Sequence, residues 1–355
     1  MELTTQQNKV FEQIKVFLKS DASVFILRGY AGTGKTTMVK VIADYIKQNR
    51  QLVMMAPTGR AARVLNKKTG HDAVTIHKAI YGKAHVQPKK VKDVAESEFK
   101  FIFPINQSEN GGNIVAIVDE ASMVCSRKIE HELFMFGTDN QMDDLLTFVR
   151  PNFGGKVIFV GDPAQLPPVG ESVSNALRAE YFQEKGLKVI EAELTEVLRQ
   201  KNDSVILKNA MMIRDLLKKE KRNQLVFEEQ KDDVEMVPSE QFLDKYLKYR
   251  KESGRHDSVI ICFSNKSANR YNRDIRKALY GGDVPLREND ILLITQNNYR
   301  LGLMNGEFVP VLSVGARTQQ SAPVYAQIGG KKERTVITLN FIQVTVPDSN
   351  GTPKP

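Results

Sequence analysis

Apolar and polar positions follow two rhythms along this chain. Val10, Phe11, Ile14, Phe17 and Leu18 recur three and four residues apart among polar neighbours, which predicts an amphipathic helix ending near Ser20. Apolar runs of strand length follow at 24–27, 52–56, 114–118 and 157–160, each too short for a helix and bounded by polar or turn residues. Between the first two, Val39, Ile42, Ala43 and Ile46 predict a helix over 36–48, and another helical stretch covers 59–68. Strands alternating with helices predict an α/β fold on a doubly wound, mostly parallel sheet.

The alternation breaks at 81–112, where QPKKVK precedes FKFIFP and SENGG, a composition that predicts a small inserted hairpin. After about residue 199 a second α/β region is expected, with a helix over 210–217 and a buried strand over 258–264. From 305 onward the pattern is β only, with short runs around 309–314, 324–328 and 336–346. The expected division is therefore 1–198, 199–308 and a β-rich 309–355.

Composition narrows the function classes. A chain of 355 residues supports two or three domains, and 41% hydrophobic with 26% charged residues excludes disorder throughout. A formal charge of +9 favours a polyanionic partner, with a well-solvated basic surface as the competing explanation. Cys125 and Cys262 alone give neither a disulfide framework nor a four-cysteine zinc site. The N-terminus lacks a signal-peptide pattern and no run approaches 18 apolar residues, so a soluble, intracellular (cytoplasmic) protein is expected.

Three strand ends carry chemistry. The first apolar strand runs into Gly29-Tyr-Ala-Gly32-Thr33-Gly34-Lys35-Thr36-Thr37 and then a helix, which fits G-x-x-x-x-G-K-[ST] in its strand, loop, helix context. Such a loop curls its N–H groups around phosphates, Lys35 supplies a point charge to the β and γ oxygens, and Thr36 is placed to ligate magnesium. The strand 114–118 delivers Asp119 and Glu120: Asp119 to hold magnesium through water, Glu120 to polarise an attacking water. The strand 157–160 ends in Gly161-Asp162-Pro163-Ala164-Gln165, groups able to register a γ-phosphate; a proline-stiffened turn is the plainer alternative. The expected cofactors are ATP and Mg2+.

Together, LTTQQ, GYAGTGKTT, APTGRAARVL with TIH, VDEAS, GDPAQLPPV and LTEVLRQ resemble, in order, the blocks of superfamily 1 helicases of the RecD-like, Dda-like branch. The resemblance spans about 3–200 and, more loosely, 200–310. It implies two RecA-like domains and an ATP-driven 5′-to-3′ motor on single-stranded DNA that opens fork or tailed duplex DNA, in replication, repair or recombination. It implies that Gln7 reads adenine, although Gln7 also fits the third helical position of a capping box from Thr4. Arg199 becomes an arginine finger, Pro57, Thr58 and His77 line the strand track, and Ser264 and Asn265 contact the strand from the second domain. The insertion at 81–112 becomes a strand-separating pin, with Phe101 or Phe103 stacking on a base or else both packing beneath the hairpin, and 309–355 an SH3-like insert.

Two blocks of that family do not occur: a threonine, a histidine and a Gln-Gly pair closing the second domain, and an Ala-Leu-Thr-Arg block carrying a second arginine finger. The expectation is an incomplete second domain, whether from a cloned fragment, a natural fragment or a diverged relative, with ATP binding outlasting turnover. The alternative function is a nucleotide-regulated DNA-binding or recombination-assembly module without processive unwinding.

Overall fold

The computed structural model describes residues 3–89, 98–106, 113–131, 134–150, 153–196, 204–218, 225–230, 233–253, 258–282, 284–295, 298, 301–328, 331–348 and 351–354. In the N-terminal unit the elements run α1 (Thr5–Lys19), β1 (Val24–Gly29), α2 (Lys35–Ile46), β2 (Gln51–Ala56), α3 (Gly59–Thr69), β3 (Ala73–Thr75) and α4 (Ile76–Ile80). They continue with β4 (His85–Lys89), β5 (Glu98–Phe103), β6 (Ile114–Val118), β7 (Phe134–Phe136), α5 (Gln141–Val149), β8 (Lys156–Gly161), α6 (Ala179–Gln183) and β9 (Val189–Leu194). Six strands form a parallel sheet in the order β3-β2-β6-β8-β1-β9, the doubly wound α/β architecture expected.

Both faces of this sheet are covered, which is why its strands read as continuous apolar runs. Side chains alternate across it: Phe25 and Leu27 join Ile14, Phe17, Ile42 and Ile158 on one face, while Val24 and Ile26 join Ile80, Leu145, Phe159 and Phe182 on the other. The Phe and Ile side chains are almost wholly removed from water, each worth about 1.5–3 kcal/mol relative to exposure. Helix ends are fixed by local bonds: Thr4 caps α1, Thr58 caps α3 and Thr75 caps α4 through their hydroxyls. The ammonium of Lys156, at the start of β8, donates to the Ser20 and Ala22 carbonyls beyond α1 and lies 4.8 Å from the Phe17 ring centroid.

The insertion at 81–112 does contain a hairpin, β4 pairing antiparallel with β5. It has a third strand that the sequence pattern does not show: β7, from beyond Glu120, pairs parallel with β5, setting Phe101 beside Phe134 and Phe103 beside Phe136. Residues 90–97 and 107–112 of this insertion lie outside the described set.

After β9 come α7 (Val205–Lys218), α8 (Ser239–Ser253), α9 (Asn265–Tyr280) and the short antiparallel pair β10 (Ile291–Leu293) and β11 (Phe308–Pro310). The buried strand expected over 258–264 is corrected by the structure: the segment has no strand partner, and Val259, Ile261 and Phe263 are 71%, 92% and 105% exposed. An extended segment becomes a strand only when a neighbouring backbone takes its N–H and C=O groups, and no described segment does so here. The C-terminal β region is a long ribbon, β12 (Ser313–Ile328) antiparallel to β13 (Lys331–Pro347), with β14 (Pro353–Lys354) at the base of β13. In the region where an SH3-like insert is expected, β12, β13 and β14 form a three-stranded sheet.

Candidate functional site

The P-loop leaves β1 and closes on itself before α2. Gly32 and Gly34 sit at φ 83° and 82°, in the left-handed region that favours glycine. Gly29 is held close: a Cβ there would lie 2.7 Å from Thr33 Oγ1 and 3.2 Å from Leu194 Cβ. The curl is fixed by the buried Thr33 hydroxyl, which donates to the Tyr30 carbonyl at 2.9 Å. Lys35 Nζ donates to the carbonyls of Gly29 at 2.7 Å and Tyr30 at 3.0 Å, folding the cation over the loop. Thr36 and Thr37 follow in the first turn of α2.

Gln7 is buried, and it does form the capping box: its N–H donates to Thr4 Oγ1 and its Oε1 accepts from the Thr4 N–H. The same amide donates through Nε2 to Thr33 O at 3.4 Å, so the capping glutamine also rests on the P-loop. Gln6, which the sequence reading passed over, ties the other end of the site: its Nε2 donates to Thr195 Oγ1, and its Oε1 accepts from the Thr195 and Glu196 N–H groups. Arg199 follows within three residues but lies outside the described set.

The carboxylates arrive on β6, separated from β1 by β8, so all three chemical strand ends emerge at the carboxyl-terminal end of the parallel sheet. Asp119 has its carboxyl pushed up to about 6, first by burial and then by the neighbouring Glu120 charge. Glu120 adopts φ 52°, a left-handed turn that a glutamate takes only under constraint, and its Oε2 is buried without a hydrogen-bond partner. A half-buried carboxylate pair with one buried, orphaned oxygen suits a divalent cation and a water bound beside it, which is the donor set that magnesium takes. Beside it, Ser122 in the 3₁₀ turn Ala121–Met123 donates from its hydroxyl to Gln165 Oε1 at 3.1 Å. The bond leaves the Gln165 side-chain N–H groups to point elsewhere. Ser122 stands in the VDEAS block, but only the fold shows that it meets β8's loop.

The strand-track candidates of the first unit follow the carboxyl ends of β2 and β3. Pro57 and Thr58 join β2 to α3, Thr58 Oγ1 accepting from the Ala61 N–H at 3.2 Å as helix cap. His77, in α4, has its ring 5.4 Å from Tyr81 and 5.3 Å from Phe136, and its Nδ1 lies 3.1 Å from Gln141 Nε2. Burial first, and the nearby His131 second, push the His77 imidazole below its ordinary value, favouring the neutral ring. These rings rest on a buried anchor: Tyr81 donates to Asp144 Oδ2 at 2.7 Å, and Asp144 also accepts from Thr138 N–H and Oγ1.

Phe101 and Phe103 share one face of β5, but the fold divides their surroundings. Phe103 is half-buried, stacked 4.5 Å from Phe136 and packed on the core, whereas Phe101 is 40% exposed and stacked at 5.8 Å on Phe134, itself exposed. Ser264 and Asn265 mark the start of α9 in the second unit, Ser264 accepting from the Ser267 N–H as its cap. The two units meet where α3 faces the 301–307 turn. Arg63 pairs with Glu307 at 2.6 Å, Arg60 donates to the Gly306 carbonyl, and Met304 lies against Gly59, where a Cβ would fall 2.6 Å from Met304 Cβ. Among the described residues, no helix is long and apolar enough to cross a membrane and no cluster of His, Cys, Asp and Glu is arranged to hold a metal in the manner of a multi-ligand centre.

Comparison with known proteins follows the same lines. The AAA domain family matches residues 2–238. The chain is 32% identical over 169 residues to the ATP-dependent RecD2 DNA helicase of Deinococcus radiodurans, covering 47% of this chain and 18% of that protein. It is 24% identical over 315 residues to the ATP-dependent DNA helicase dda of Enterobacteria phage T4, covering 86% of this chain and 64% of that protein. Among solved structures, that of two Pif1 helicases coordinating at forked double-stranded DNA superposes with a TM-score of 0.51 at 20% identity, covering 99% of this chain and 75% of that one. The chain thus spans less than two thirds of either curated relative's length.

Proposed function

We propose that this chain, which belongs to the AAA domain family and is similar to the RecD2 and dda helicases, is a superfamily 1 helicase of the RecD-like, Dda-like branch that hydrolyses ATP to move 5′ to 3′ along single-stranded DNA and open duplex ahead of it. The observation that carries this reading is the gathering of Lys35, the Asp119–Glu120 pair with its orphaned oxygen, and the Ser122-held Gln165 beyond the carboxyl ends of adjacent parallel strands.

The steps follow from the groups present. The P-loop N–H groups and Lys35 grip the β and γ phosphates, Lys35 leaving its two carbonyl partners as it does so. Gln7 is placed beside the loop to meet the adenine edge once its Nε2 leaves the Thr33 carbonyl. Magnesium, held by Thr36 and Asp119, would offset charge on the phosphate oxygens. Glu120 orients the attacking water and accepts its proton through the free Oε2. Gln165, its oxygen engaged by Ser122, presents its amide N–H groups to the γ-phosphate and registers its loss. Arg199 would add positive charge across the cleft. Pro57, Thr58 and His77 on the first unit, with Ser264 and Asn265 on the second, supply two sets of strand contacts whose grip alternates as the cleft closes and opens.

Titration calorimetry with ATP, alongside phosphate release with and without single-stranded DNA, tests the proposal. Lys35→Ala is expected to weaken ATP binding or abolish turnover, and Glu120→Gln to keep binding while losing turnover. Unchanged affinity and turnover in Lys35→Ala would sink the assignment. Tight ATP binding by the unaltered chain, with no DNA-stimulated turnover, would favour the nucleotide-regulated DNA-binding module instead.

A further inference from the structure

The P-loop carries a contact from the second unit that no motif in the chain announces. Arg214, on α7, lays its guanidinium over the ring of Tyr30, 4.4 Å from the ring centroid. Tyr30 is the second residue of the P-loop, 8% exposed, and its carbonyl is one of the two that hold the Lys35 ammonium. A cation from the second unit is therefore seated on the same residue that holds the phosphate-binding lysine.

The surroundings of Arg214 are not those of an ordinary structural arginine. Its side chain is only 20% exposed, and its Nε is buried with no hydrogen-bond acceptor. The carboxylate given to it, Asp215 on the adjacent residue, lies 3.7 Å from Nε, beyond hydrogen-bonding distance, and is itself 58% exposed. A buried guanidinium nitrogen without an acceptor is costly, and such a cost is retained where an anion completes the site. The cation–π seat on Tyr30 offsets part of it, since an aromatic face attracts the ion without consuming its N–H donors. The Nε of Arg214 is thus left unpaired beside a loop whose chemistry is to bind phosphate.

We propose that Arg214 is the second unit's nucleotide-sensing residue: it reads the terminal phosphate of a nucleoside triphosphate bound at the P-loop and couples α7 to the state of that phosphate. This rests on the ATPase reading above and adds to it a cation from a helix that the motif blocks do not include. When ATP arrives, Lys35 leaves the Tyr30 carbonyl for the phosphates, and Arg214 swings from the Tyr30 ring to the same charge, drawing α7 toward the P-loop. Loss of the terminal phosphate releases Arg214 to its ring. Two other arginines, Arg270 and Arg273, lie instead on α9, with Arg270 over the Tyr271 ring.

The test uses the whole chain with two substitutions, Arg214→Met, which keeps the length and packing of the side chain and removes its charge, and Arg214→Lys, which keeps the charge. ATP and ADP affinities, DNA-stimulated kcat and thermal midpoint are measured for each. Arg214→Met is expected to bind ATP at least ~10-fold more weakly while ADP affinity stays within about twofold, and to lose ~10³-fold or more in kcat, the scale of a lost arginine finger. Arg214→Lys is expected to recover most of the ATP affinity and little of the kcat, because a point charge lacks the guanidinium fork. Unchanged ATP-to-ADP preference and turnover in Arg214→Met would overturn the proposal, leaving Arg214 as packing. Equal loss of both nucleotides with a lowered midpoint would overturn it in favour of a structural role. Failure of the unaltered chain to bind ATP at all is a different result, which removes the ATPase reading itself.

Discussion

At the residue scale the site is built from groups held in unfavourable states, and Asp119 shows the consequence for stability. Its folded-state value of about 6 lies above the ordinary 3.8, so the folded chain holds this proton more tightly than the unfolded chain does. The resulting penalty is absent below about pH 4, grows as pH rises between the two values, and is complete above pH 6. Asp119→Asn keeps the shape and removes the charge. In chelator it is expected to raise folding stability by ~1–3 kcal/mol at pH 7.5, with the gain shrinking to nothing toward pH 4, while magnesium-dependent turnover is lost. Thermal denaturation across that pH range checks it; a gain of equal size at pH 4 would mean that the carboxylate is not the cause. The sequence marks the P-loop, Asp119, Glu120 and Gln165 as candidates because the chemistry proposed for them fixes residue types at short spacings. It does not mark Ser122's bond to Gln165 or Arg214's seat on Tyr30, since these join segments 43 and 184 positions apart that only the fold brings together.

Among the elements, those whose residues carry a complete period were read correctly. The helix ending near Ser20 and the four strands at 24–27, 52–56, 114–118 and 157–160 each have a counterpart, because the faces they pack against are uniformly apolar. Strand β7 was missed, as three residues give no period and its partner β5 lies some 30 positions upstream. The 258–264 segment was misread because apolar character alone does not supply a neighbouring backbone. The β4-β5-β7 sheet also separates two rings that sequence alternation treats alike. Phe103→Ala is expected to cost about 3–5 kcal/mol of stability, the range for a phenylalanine lost from packing, with its half-buried position favouring the lower end. Phe101→Ala is expected to cost under about 1 kcal/mol and to reduce unwinding of a forked duplex while leaving DNA-stimulated ATPase intact. Denaturant titration of both variants beside paired unwinding and ATPase assays separates these outcomes; equal destabilisation by the two would assign both rings to packing.

For the whole molecule, the seat of Met304 on Gly59 makes the two units sensitive to a single methyl group. A Cβ at Gly59 falls 2.6 Å from Met304 Cβ, so Gly59→Ala must push α3 and the 301–307 turn apart, loosening the Arg63–Glu307 pair beside it. Gly59→Ala is expected to lower the thermal midpoint by several degrees, and adding Met304→Gly to restore much of it; additive losses in the double variant would show that the strain lies elsewhere. The β12–β13 ribbon carries another consequence, in the order of assembly. Its pairs begin at Ile328 and Lys331, three positions apart, and extend to Ser313 and Thr345, 32 apart, so each new pair closes onto one already made. The nucleotide-binding sheet has the opposite character: Val24 must find Val157, 133 positions away, before β1 has a neighbour on that side. Loop closure over such a span slows folding far more than zipping from a turn does. The ribbon can therefore form on the microsecond scale of a hairpin while the parallel sheet is still an open chain, so a segment downstream of that sheet can finish folding before it.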